Sequence, residues 1–167
     1  AISATTQSLK DVWKFKYKVA VPSAVLFGQF PAIISPGHII EGLKSLGFDA
    51  VWIIGVETAL TNRAIWEYTG KWKGKFPLIS STCPVVVRLI QVKYPELAAQ
   101  VLPILAPREI SARSIKERKS AETGLSADRI GAVYLTPCPA KIVSILEHPG
   151  MQRSYLDYAM SVIVSRA

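Results

Sequence analysis

The chain has 167 residues, half of them hydrophobic, and carries 20 Lys and Arg against 12 Asp and Glu for a formal charge of +8. That length suits one domain with a substantial core. No run approaches the roughly 18 uninterrupted apolar residues that a spanning helix needs. The polar, basic opening also has no apolar stretch of signal-peptide type, so a cytoplasmic, soluble domain is the expectation. The first residue is Ala1 rather than Met, which fits a processed chain or a segment of a longer one.

The basic excess is local, at Lys10, Lys14, Lys16 and Lys18 and again at Lys71, Lys73 and Lys75. Solvated Lys stems lying over apolar surface account for such a face. With no recognition helix, zinc finger or RNA-binding signature, nucleic acid is not an expected partner.

In chain order, residues 16–21 read as a strand, followed by Pro22-Ser23-Ala24 and a turn at Gly28. Residues 36–46 read as a helix with Ser35 as N-cap, Pro36 in the first turn and Gly47 as terminator. Its Ile39, Ile40, Leu43 and Leu46 form one apolar face. Residues 50–54 are a continuous apolar run, the pattern of a strand buried on both faces. Residues 57–68 predict a helix ending at Gly70, then a loop over 71–75 and a short strand over 77–80. Residues 84–94 predict a helix, apolar through Val85, Val86, Leu89 and Ile90, and 95–102 continue or restart it after a kink. A polar amphipathic helix over 109–123 stops at Gly124, and 129–135 form the last clear strand. This alternation predicts an α/β fold, with a mainly parallel sheet and helices on both faces.

Both cysteines fall in one kind of place: a loop after a strand, just before a proline. Cys83 precedes Pro84, and Cys138 sits in Thr136-Pro137-Cys138-Pro139. In open α/β sheets, ligands bind beyond the carboxyl ends of the strands. A helix N-terminus favours the thiolate, the form that ligates metals. Taken alone, each cysteine also reads as a small buried hydrophobe.

The surroundings are more specific. Ser80-Ser81-Thr82-Cys83-Pro84, then a helix and Tyr94-Pro95-Glu96-Leu97, resembles the first cluster-binding motif of the iron-only hydrogenases. Thr136-Pro137-Cys138-Pro139-Ala140-Lys141 resembles the second, in which a lysine follows the cysteine by three residues. Val21-Pro22-Ser23 is similar to the strand-end loop beside the cluster. The stretch Leu46-Gly47-Phe48-Asp49-Ala50-Val51, with Glu57-Thr58-Ala59-Leu60, is similar to the next strand and helix. The resemblance runs in order from about residue 16 to about residue 165. After a polar basic segment over 1–15, it implies over 16–167 an α/β domain like that around the hydrogenase H cluster, incomplete at its C-terminal end.

By that resemblance Cys83 and Cys138 are thiolate ligands of a 4Fe–4S cubane. Pro22, Ser23 and Lys141 line the pocket of a di-iron subsite, where an ammonium can donate to an anionic ligand. Two departures weaken proton delivery. Thr82 stands where the family has a proton-relay cysteine, and Ser144 stands where a glutamate usually follows the lysine. A hydroxyl is a far poorer acid than a thiol near neutral pH. The third motif, with two further cysteines, does not occur in this sequence. A cubane takes four cysteine ligands, so the cluster is expected only where ligands outside this chain complete it.

A zinc site from Cys83, Cys138, His38 and His148 lacks short-spaced ligand pairs. No histidine is placed beside either thiol for a Cys–His nucleophile, and Gly70–Gly74 lacks the strand–loop–helix setting of a phosphate loop. The tail over 153–167 resembles the start of the DNA gyrase A subunit. It also aligns with a hydrogenase segment after the second motif, and both origins stand. Three readings remain: a divergent iron–sulfur domain for redox or hydrogen sensing or electron transfer, in an anaerobic setting; part of a catalytic domain for reversible proton reduction; and a cluster-free interaction module. A ferredoxin-type protein or fused cluster domains are the implied redox partners.

Overall fold

In the computed structural model, residues 12–147 and 159–160 are described. The chain divides into two compact units: one comprises the residues up to Ile53 and those from Ala112 onward, the other Ile54–Ser111.

The first unit is built on a parallel sheet ordered β2-β1-β3-β4, with strands β1 Tyr17–Pro22, β2 Ala50–Val51, β3 Ile130–Leu135 and β4 Ala159–Met160. Helices α1 Ala24–Phe27 and α2 Pro36–Ser45 lie between β1 and β2, and α6 Pro139–Glu147 lies between β3 and β4. Every strand pairing is parallel. The α/β reading with a parallel sheet is what the structure contains.

β3 is buried along its whole length, and the last four residues of β1 are buried as well. Such unbroken apolar burial marks central strands of a sheet covered by other elements. Ala20, Val133 and Leu135 pack with Val12, Leu43 and Phe48 into the core cluster, against which Leu26 and Val51 are half-buried.

The turn into β2 is held by local chemistry. The Ser35 hydroxyl accepts the N–H of His38 at 3.3 Å, satisfying one free donor at the start of α2. Gly47 takes φ +97°, which a side chain rarely adopts, with the Trp13 ring against its Cα hydrogens. Asp49 then bridges to β1, accepting from both the Lys18 backbone N–H and Nζ at 2.7 Å.

The predicted strand over 50–54 shortens to two residues at the edge of the sheet. Trp52 N–H still donates to Ala20 O at 2.8 Å, but the Ile54 carbonyl already accepts from Thr58 N–H and its hydroxyl. The backbone has turned into α3 Gly55–Lys71, leaving Ile53 exposed. The predicted stop at Gly70 also moves: α3 passes through it, with open space around its missing Cβ. Trp72 ends the helix by stacking on Tyr68 at 5.7 Å and donating its indole N–H to Lys75 O.

The second unit holds α3, helix α4 Pro84–Lys93, a 3-10 turn over Pro95–Gln100 and the first turn of α5 Pro107–Thr123. The predicted strand over 77–80 is a single parallel bridge, Ile79 to Val101. Pro77 has no N–H to extend it. On α4 only Ile90 is buried, whereas Val85, Val86 and Leu89 are exposed. Among the described residues, no helix is long and apolar enough to cross a membrane.

Candidate metal centre

At the carboxyl edge of the first unit's sheet, Pro22 pairs with Leu135, and the Ser23 N–H donates to Leu135 O at 2.9 Å. Ser23 and Thr136 therefore leave the sheet side by side, both buried. This is the crevice position at which α/β sheets bind ligands. Two residues on, Cys138 is half-buried. Its N–H donates to Thr136 Oγ1 at 3.3 Å, and its carbonyl accepts from Lys141 and Ile142 N–H at 3.2 and 3.4 Å. Cys138 thus occupies the N-cap of α6, with Pro139 at the first helical position and Lys141 half-buried in the first turn.

Ser23 is only 4% exposed, and its hydroxyl has no hydrogen-bond partner among the described residues. An orphaned buried hydroxyl costs about 1–3 kcal/mol, so such groups mark places where a further polar ligand completes the bonding. Cys138 at a helix N-cap and the Lys141 ammonium in the same first turn would both favour an anionic group there. On this observation Pro22, Ser23, Cys138 and Lys141 fit the rim of a thiolate-ligated cluster.

Thr82 and Cys83 belong to the second unit, and Pro22, Ser23, Cys138 and Lys141 to the first. Cys83 is exposed and is the N-cap of α4, with Pro84 after it and its carbonyl accepting Val87 N–H at 3.2 Å. Thr82 Oγ1 accepts from Ser80 Oγ at 3.1 Å, and Ser80 Oγ accepts the Thr82 N–H at 3.3 Å. The loop is tied down from a distance: Ser81 Oγ donates to Ile104 O at 2.6 Å, and Arg108 Nη1 donates to Thr82 O at 3.0 Å. The sequence reading missed Arg108. The signal was a cation in the first turn of a helix, where the macrodipole disfavours it unless it has other partners.

No three His, Cys, Asp or Glu side chains gather into a metal-binding group among the described residues. His38 is exposed, with Nδ1 3.2 Å from Ser35 Oγ, and His148 lies outside the described residues. The second unit also has an open hollow of about 520 Å³ lined by Ala64, Glu67, Tyr68, Lys71, Trp72 and Ile104, which holds none of the candidate residues.

Two proline-followed cysteines cap helices in an α/β protein, one of them just beyond a central strand of a parallel sheet. The family described as "Iron only hydrogenase large subunit, C-terminal domain" matches residues 16–162. The chain belongs to that family, whose members carry an iron–sulfur H cluster. That match takes in most of the gyrase-like tail, which lies outside the described residues except at Ala159–Met160. Iron hydrogenase 1 of Clostridium pasteurianum is 28% identical over 145 residues, covering 84% of this chain and 25% of its own. An FeFe-hydrogenase studied for oxygen damage to the 2Fe subcluster of its H cluster superposes with TM-score 0.66 at 21% identity, over 87% of this chain and 40% of that one. A variant of an FeFe-hydrogenase from Chlamydomonas reinhardtii gives 0.63 at 22%, over 87% and 40%. These likenesses establish the α/β fold, and the chain spans a quarter to two fifths of these relatives' lengths.

Proposed function

We propose that this chain is a divergent hydrogenase-like iron–sulfur domain serving redox or hydrogen sensing, or electron transfer, with little turnover. The observation carrying this reading is the state of the two hydroxyls at the expected proton-relay positions. Thr82 Oγ1 is engaged by Ser80, and Ser144 Oγ donates to Lys141 O at 2.9 Å. Neither is a thiol or a carboxyl; Ser144 commits its proton to the Lys141 carbonyl, and Thr82 Oγ1 is held as an acceptor by Ser80. Meanwhile the ligand positions Cys83 and Cys138 are kept.

Cys83 and Cys138 would hold a 4Fe–4S cubane, with two further thiolates from polypeptide outside this sequence. Ser23 would donate its orphaned hydroxyl, Lys141 its ammonium, and Pro22 would wall the same edge of the sheet beside a di-iron subsite. When bound, the cluster supplies reversible one-electron chemistry. A ferredoxin-type protein or a fused cluster domain would exchange electrons with it.

The test is anaerobic reconstitution of the longest native form, with iron and sulfide analysis and EPR, followed by hydrogen evolution from a reduced dye. Bound cluster with negligible evolution is the expected result. Turnover at ordinary hydrogenase rates would overturn the sensing reading in favour of catalytic proton reduction. Absence of iron would leave a structural module. Cys83→Ser and Cys138→Ser should each lower the iron content; unchanged iron in either removes that cysteine from the ligand set.

A further inference from the structure

We infer that Arg108 is a positioning residue for the Cys83 thiolate, an assignment that rests on Cys83 being a cluster ligand as proposed above. Its guanidinium is 5% exposed, and Nη1 donates to the Thr82 carbonyl at 3.0 Å from 26 residues further along the chain. The carbonyl of Thr82 and the amide of Cys83 belong to one rigid peptide plane. Fixing that carbonyl fixes the Thr82–Cys83 peptide.

The other side of Cys83 is held as well. Its own carbonyl accepts from Val87 N–H at 3.2 Å, and Pro84 restricts the backbone before it. Cys83 sits at φ −95°, ψ 109°. With both flanking peptides fixed, the direction of Sγ depends on a single side-chain torsion. The loop is otherwise exposed at Ser80 and Cys83, so this long-range bond and that from Ser81 to Ile104 are what keep an exposed ligand in place.

Cys138 shows the contrast. Its peptide is held by a buried neutral neighbour, Thr136, two residues away. Arg108 instead brings a buried positive charge next to the cysteine peptide, partly offset by Glu109 Oε1 at 3.3 Å from Nη2. A cation beside a cluster stabilises its more negative, reduced state; a carboxylate does the reverse. Arg108 therefore both aims the thiolate and raises the cluster's potential, while Glu109 lowers it.

The experiment compares wild type with Arg108→Ala, Arg108→Gln, Arg108→Lys and Glu109→Gln. In the metal-free chain, amide hydrogen exchange of Ser81, Thr82 and Cys83 should rise at least about tenfold in Arg108→Ala and stay near wild type in Arg108→Lys. In the cluster-loaded longest form, Arg108→Gln should shift the midpoint potential negatively and Glu109→Gln positively. Each shift should be about tenfold in the reduced-to-oxidised ratio, which is ~59 mV for one electron. Altered EPR g-values in Arg108→Gln should return toward wild type in Arg108→Lys. Unchanged exchange in Arg108→Ala, or shifts of the same sign in Arg108→Gln and Glu109→Gln, would overturn the assignment. If Arg108→Ala does not fold, exchange in Arg108→Gln decides in its place. Lack of iron in the wild type would sink the cluster reading, while the exchange measurement still decides whether Arg108 holds the loop.

Discussion

Ser23 donates its backbone N–H to Leu135 O at 2.9 Å, carrying the β1–β3 pairing one residue past the end of the strand. The bond brings the exit of β1 level with that of β3. The Ser23 hydroxyl, buried and without a bonding partner among the described residues, is thereby fixed at the same edge from which the chain proceeds through Thr136 to Cys138.

Ser23→Ala should therefore separate stability from ligand binding. Removing an unsatisfied buried donor should leave the metal-free chain equally stable or more stable by up to about 1 kcal/mol. Iron retention should fall. Urea unfolding of the metal-free chain and iron analysis after reconstitution check the two halves, and a loss of more than about 1 kcal/mol would show that Ser23 Oγ is satisfied.

Helix α6 is seated by Ile142 and Ile145, both almost wholly buried. Ile145→Ala should cost about 2–5 kcal/mol through lost transfer energy and the cavity left behind. Because α6 begins at Cys138, iron loading should drop as well. Chemical denaturation and iron content measure both effects.

Gly47→Ala meets two obstacles: φ +97°, and a Cβ that would lie 3.2 Å from Trp13 Cη2. A destabilisation of about 1–2 kcal/mol is expected from the backbone conformation alone. A shift in Trp fluorescence should accompany it as the ring moves, and unchanged stability would show that the turn relaxes freely.

Asp128 is held below the ordinary carboxylate value of 3.8, first by a hydrogen bond from the Ser126 side chain and then by one from its own backbone. A lowered folded value means that its stabilisation is present above the unfolded value and is lost as pH falls through the folded one. Asp128→Asn should thus reduce stability at pH 7 slightly and flatten the acid limb below about pH 4, as followed by far-UV circular dichroism during acid titration. An unchanged acid limb would show that the turn at Ala127–Arg129 does not depend on the carboxylate.

The elements that the sequence made legible are those with their own local chemistry. Ser35 and Pro36 start α2 and Gly47 ends it. Gly124, at φ +70°, follows α5, and the unbroken apolar runs near β1 and β3 mark central strands. The short elements were harder to read. The apolar run over 50–54 is shared between a two-residue edge strand and a helix start, because hydrophobicity does not say when a backbone carbonyl will switch from sheet to helix partners. Gly70 reads as a stop by propensity, yet helix packing carries α3 through it.

By itself the sequence determined the family and the candidate residues Pro22, Ser23, Thr82, Cys83, Cys138 and Lys141. Proline after a helix-capping cysteine is a local pattern, and local patterns need only neighbouring residues to be read. Tertiary structure alone decided that the Ser23 hydroxyl has no partner among the described residues and that Arg108 grips the carbonyl before Cys83. Those facts depend on which groups, tens of residues apart, folding places within hydrogen-bond reach, and on which it seals from water.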